Sequence, residues 1–67
     1  MRPGEYQQRL RISRARELLE FSRKSIDNIA LDVGYEDVGG FRRVFHKIVG
    51  LTPSDYRRRF SRLSTAA

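Results

Sequence analysis

The sequence predicts an all-α fold, a small helical bundle in which one long helix is followed by three shorter ones. Three observations carry this expectation. Apolar residues recur at helical spacing in four stretches, no run of strict apolar-polar alternation competes with them, and residues that start or stop helices fall between the stretches: Arg23-Lys24, Gly34, Gly50 and Pro53. At 67 residues the chain is one small unit, and with no cysteine it folds without disulfide staples.

The first helix is expected over residues 5–21, after Pro3 and Gly4 mark its start. Tyr6, Leu10, Ala15, Leu18 and Leu19 approximate an apolar stripe among arginines and glutamates, with Arg16 and Glu20 spaced to pair along the surface. The second begins at Ser25, a good N-cap, and sets Ile26, Ile29, Ala30 and Val33 at helical spacing. Gly34 then supplies the left-handed conformation that stops a helix. The third starts at Asp37, whose carboxylate caps free N–H groups, carries Phe41, Val44, Phe45 and Ile48, and ends at Gly50. The fourth, over residues 53–60, opens with Thr52-Pro53-Ser54-Asp55: a cap, a proline at the first helical position, and an acid three residues after the cap. Tyr56 and Phe60, four apart, are expected to face the core. Residues 1–60 thus form the folded unit and residues 61–67 read as a fraying tail.

Residues 25–49 are two short helices joined by Gly34-Tyr35-Glu36, the arrangement of a helix-turn-helix. Ala30 is small where a second helix must cross, and Phe41 plugs the angle between the two. With about 100° of rotation per residue and Phe41 at zero, Phe45, Ile48 and Val44 fall within about 60°, while Gly39, Arg43 and His46 lie at about 160°, 200° and 140°. Arg42 and Gly40 flank that outer face and Lys47 lies beside it. This is the shape of a helix that enters a groove of negative potential. Gly39 and Gly40 have two readings: they let the helix backbone approach DNA, or they mark a turn that frays or packs against another element. Val38 is equally open, to the core or to a thymine methyl.

Charge supports the first reading of that surface. Residues 1–37 hold seven basic and seven acidic side chains, whereas residues 38–67 hold seven basic ones against Asp55 alone, so the whole net charge of +6 sits in the C-terminal half. Twelve of the fourteen cations are arginine, whose rigid donor fork suits phosphates and guanine edges, and this points to a polyanionic partner. The expectation is of a DNA-binding protein and not an enzyme. One histidine and scattered carboxylates form no catalytic constellation, and no cofactor or metal is expected. Gly39-Gly40 is not a phosphate-cradling loop, because no lysine-serine or lysine-threonine pair follows it. No uncharged run approaches the ~20 apolar residues that span a bilayer, and no hydrophobic signal segment follows Met1, which reads as a soluble chain of the cytoplasm.

The residues also carry a family likeness. Arg9-Leu10, Ala15-Arg16, Leu18-Leu19-Glu20, Ser25-Ile26, Ile29-Ala30, Val33-Gly34-Tyr35, Phe41, Arg43, Phe45, Gly50-Leu51-Thr52-Pro53 and Tyr56-Arg57 stand in order over residues 9–60. In this the chain resembles the AraC/XylS family of bacterial transcription regulators, activators or repressors that act on the nucleoid. The stretch Glu36 to Arg43 is similar to the subgroup with a glutamine-amidotransferase-like sensor domain. The family's DNA-binding domain is homeodomain-like, with two helix-turn-helix units joined by a long helix, and each unit places a recognition helix in the major groove. By resemblance this chain holds the joining helix and the second unit. The resemblance implies base contacts from Val38, Gly39, Gly40, Arg42 and Arg43. It implies phosphate contacts from Ser25, Ile26, His46, Lys47, Thr52, Ser54, Tyr56, Arg57, Arg58 and Arg59. It also implies that Tyr6, Leu10 or Ile12 packs against the first unit and is exposed here, open to self-association. The competing function is a protein-interaction module, for dimerisation or contact with RNA polymerase, with only non-specific DNA affinity.

Overall fold

The computed structural model describes residues 3–62, and the fold is all-helical. Four helices follow in order: α1 (Pro3–Phe21), α2 (Ile26–Asp32), α3 (Val38–Val49) and α4 (Pro53–Phe60). The first helix begins two residues before its expected start, since proline fits the first turn of a helix, where its missing N–H has no partner to lose.

Local chemistry sets each later boundary. The Ser25 side chain accepts the Asn28 N–H at 3.1 Å and the Thr52 side chain accepts the Asp55 N–H at 3.1 Å, each satisfying a donor that the helix leaves orphaned. Asp37 caps α3 by taking two such donors, Gly39 N–H at 3.1 Å and Gly40 N–H at 3.2 Å. Gly34 closes α2 with φ +107°, so this turn wants glycine for its conformation; a Cβ there would meet only the mobile end of the Arg11 side chain, at 3.1 Å.

All four helices contribute to one core: Ile12, Ala15 and Leu19 from α1, Ile29 and Ala30 from α2, Val33 from the turn, Phe41 and Phe45 from α3, and Tyr56 from α4. Tyr35, Phe41, Phe45, Tyr56 and Phe60 form a continuous aromatic chain with ring centroids 4.7 to 5.8 Å apart. Ala30 and Phe41 are both fully buried, as the helix-turn-helix crossing requires.

Some expectations are corrected. Phe60, the last residue of α4, is 46% exposed, with its ring 4.7 Å from that of Tyr56, so it lies at the rim of the core and not within it. Ile12 is buried, while Tyr6 and Leu10 are exposed, since α2, α3 and α4 pack along only part of α1. Arg16 donates not to Glu20 but to the Tyr56 hydroxyl, at 3.2 Å. The expected tail splits: the Arg62 N–H donates to the Glu20 carbonyl at 2.7 Å and its guanidinium pairs with the Glu20 carboxylate at 3.5 Å, while residues 63–67 lie outside the described residues.

Two tyrosine hydroxyls link the fold to pH. Burial raises the Tyr35 hydroxyl above the ordinary value of 10.0, with Arg11 opposing, and that hydroxyl is buried without a partner. Burial and then the bond to Glu20 raise Tyr56, with Arg16 opposing. Because the folded values lie above the unfolded ones, the stability they contribute is complete below about pH 10 and is lost as pH rises through the folded values. Melting temperature followed by circular dichroism from about pH 8 to about pH 11.5 is expected to fall above about pH 10. The Tyr35→Phe variant is expected to flatten the fall, and an unchanged slope would count against this origin.

Candidate nucleic-acid interface

The outer face of α3 presents Gly39, Arg42, Arg43, His46 and Lys47 to solvent, on a helix whose inner face is fixed by Phe41 and Phe45. The two arginines differ. The Arg43 side chain is 80% exposed, with a loose approach to Asp37 at 4.0 Å. Arg42 is 56% exposed and lies 3.8 Å from Asp27, in the first turn of α2. That pair crosses from one helix to the next and so places the N-terminus of α2 beside α3. Pairs this exposed contribute about 0.2–1 kcal/mol, little enough for a polyanion to displace the acid.

The glycines gain a clearer reading. The nearest atoms to a Cβ built at Gly39 or Gly40 belong to Asp37, at 3.4 and 3.5 Å, which is ordinary contact. Neither glycine packs against another element, and both stand within α3 beneath a capping side chain. The fold therefore tolerates alanine at Gly39, and Gly39→Ala is expected to stabilise the chain by about 0.5–1 kcal/mol in urea titration. Destabilisation would mean that the fold itself needs glycine there. Val38 is half-buried against the core, so its side chain is shared between the two roles open to it.

Of the residues expected at phosphates, Ser25, Thr52 and Ser54 stand exposed at the starts of α2 and α4, and His46, Lys47, Arg58 and Arg59 are exposed on α3 and α4. Arg58 shares its charge with Asp55 at 3.3 Å. Ile26 packs against the core, which leaves its backbone N–H as the group to offer. Tyr56 is placed differently. It is 4% exposed, and its hydroxyl donates to Glu20 at 2.5 Å and accepts from Arg16, so its side chain is core and not surface. Arg57 is half-buried and donates to the carbonyls of Leu19 at 3.5 Å and Ser22 at 3.4 Å, holding the end of α1. Both residues fasten α4 to α1. Sequence spacing gave no sign of this, because the partners lie 35 to 40 residues apart. The pairing of Asp27 with Arg42 went unseen for the same reason.

Among the described residues, no group of three or more histidine, cysteine, aspartate or glutamate side chains is placed to hold a metal ion. No described helix is long and apolar enough to cross a membrane.

A capped, outward-facing basic helix held at a fixed angle by its predecessor is the working surface of a helix-turn-helix, and sequence comparison agrees. The family described as "Helix-turn-helix domain" matches residues 1–59, and the chain belongs to that family, in its AraC-type form. It is similar to the HTH-type transcriptional activator RhaR of Mannheimia succiniciproducens, with 44% identity over 57 residues, 85% of this chain and 21% of the relative. The protein of that name from Pectobacterium carotovorum is 44% identical over 55 residues, 82% and 19% of the two chains. The one from Yersinia pestis is 42% identical over 57 residues, 85% and 20%. The chain therefore spans about a fifth of the length of these relatives. No solved structure gives a significant match. Family and fold agree: the chain is an all-helical helix-turn-helix domain.

Proposed function

We propose that the chain binds duplex DNA by laying α3 in the major groove, as the second helix-turn-helix of a longer bacterial regulator. The observation that carries this is the outer face of α3, which gathers Arg42, Arg43, His46 and Lys47 above a core-locked inner face. Arg43, with Val38, Gly39, Gly40 and Arg42 around it, meets base edges. Ser25, the Ile26 N–H, His46, Lys47, Thr52, Ser54, Arg58 and Arg59 meet phosphates, and Tyr56 and Arg57 serve by holding α4 against α1. The length of the relatives supports a larger whole, whose other parts supply effector sensing, in the manner of the amidotransferase-like subgroup, and the choice between activation and repression. Its place of work is the bacterial cytoplasm, at the nucleoid.

The test is selection of binding sites from a random duplex library at two salt concentrations. An enriched motif of about one half-site supports unaided base reading. Retention that vanishes with salt and enriches nothing leaves only the electrostatic part and rejects sequence-specific binding by this chain.

A second reading has its own observation. Tyr6 and Leu10 are 59% and 50% exposed on α1, an apolar pair free to meet another protein surface, whether a second copy or RNA polymerase. If Leu10→Ser abolishes regulation while DNA affinity is unchanged, this surface is the working one.

A further inference from the structure

We infer that Asp27 determines specificity by restraining Arg42, lowering affinity for DNA that offers only phosphates. This rests on α3 being the DNA-facing helix. Asp27 does not cap α2, a task Ser25 performs, and its carboxylate is 70% exposed beside the basic face of α3, where Asp37, the other acid near its arginines, is the cap of α3. A carboxylate there repels a polyanion. In the first turn of α2 the acid suits the helix dipole, and the basic group within its reach is the Arg42 guanidinium, at 3.8 Å.

The consequence follows from donor geometry. A guanidinium has five N–H donors in a rigid fork, so one edge can face Asp27 as an ion pair, longer than a hydrogen bond at 3.8 Å, while the other meets a base edge. A phosphate that draws Arg42 outward must instead displace Asp27 and then sit near its uncompensated charge. Contacts to phosphate alone are therefore penalised more than a contact made with Arg42 held in place. Asp37 differs in kind, because its two oxygens already hold the Gly39 and Gly40 N–H groups, and removing it would uncap α3. Asp27 is the cleaner probe.

The experiment is fluorescence anisotropy of the full chain on a duplex of random sequence, at several salt concentrations. Asp27→Asn is expected to tighten binding about two- to fivefold at low salt, the range for loss of one exposed ion-pair partner. Asp32→Asn removes the same charge, but its partner is Lys24 and not an arginine of α3, and it is expected to give less than half that gain. In an Arg42→Ala background, Asp27→Asn is expected to lose most of its effect. Circular dichroism checks that each variant is folded, and Asp27→Ser offers a second removal of the charge if asparagine disturbs α2. Equal gains from Asp27→Asn and Asp32→Asn would reduce the effect to net charge and overturn the inference, as would a full effect without Arg42 or no effect at all. A wild-type chain that binds no duplex even at low salt would reject the DNA-binding reading itself, a result distinct from all of these.

Discussion

Phe45→Ala is expected to leave the chain unfolded at room temperature. The Phe45 side chain is fully buried, with its ring 5.8 Å from Phe41 and 5.6 Å from Tyr56, so it joins α3 to α4 within the shared core. Truncating a buried phenylalanine costs about 3–5 kcal/mol, through lost transfer energy and an unfilled cavity. At about 0.05–0.15 kcal/mol per residue, a unit of this size has only about 3–10 kcal/mol to lose. No disulfide offsets the loss, because the chain has no cysteine. Far-ultraviolet circular dichroism is expected to show most helix signal gone, or a urea midpoint near zero. The control is Ile48→Ala on the same helix: Ile48 is 37% exposed, and the cost there is expected to be under about 1.5 kcal/mol. Equal loss in the two variants would mean that α3 itself, and not the aromatic junction, limits stability.

The parts of the fold that the sequence made legible are those decided by neighbours along the chain. Ser25, Asp37 and Thr52 are caps because the orphan N–H groups they satisfy lie two or three residues away. Gly34 and Gly50 take positive φ at the helix ends, where the spacing of apolar residues breaks. The inward side of α3 was legible for a similar reason, since rotation along a helix is fixed by backbone geometry. What stayed hidden depends on which elements meet. Phe60 fits the periodicity of a core residue and yet is 46% exposed, because periodicity gives the side of a helix and not how far along it the packed neighbours reach. Ile12, at the edge of the α1 stripe, is buried because α1 meets three other helices. The fastening of α4 to α1 by Arg16, Tyr56, Glu20 and Arg57 joins residues far apart in the chain, and such pairings leave no local pattern to read. The same limit applies to the candidate interface. The basic face of α3 could be computed, whereas the different situations of Arg42 and Arg43 required knowing where α2 ends up.

That difference sets the expectation for Arg43→Ala. Its side chain is the more exposed of the two and its approach to Asp37 is loose, so it reaches a partner at little cost. Forked onto the O6 and N7 of a guanine, its loss is expected to cost about 1–3 kcal/mol on the preferred site, roughly 5- to 150-fold in affinity. The loss should be confined to one base pair, where the variant no longer distinguishes guanine from the alternatives, while affinity for random duplex changes much less. Arg59→Ala is the contrasting case. As a phosphate contact its removal is expected to weaken all duplexes alike and to reduce the slope of log affinity against log salt by about 0.9. The pair of variants separates two uses of the same guanidinium, since a base contact appears as sequence dependence and a phosphate contact as salt dependence. If Arg43→Ala weakens every duplex equally and lowers the salt slope as Arg59→Ala does, Arg43 is a phosphate contact. Base reading by α3 would then have to come from Arg42 and the surface around Gly39 and Gly40.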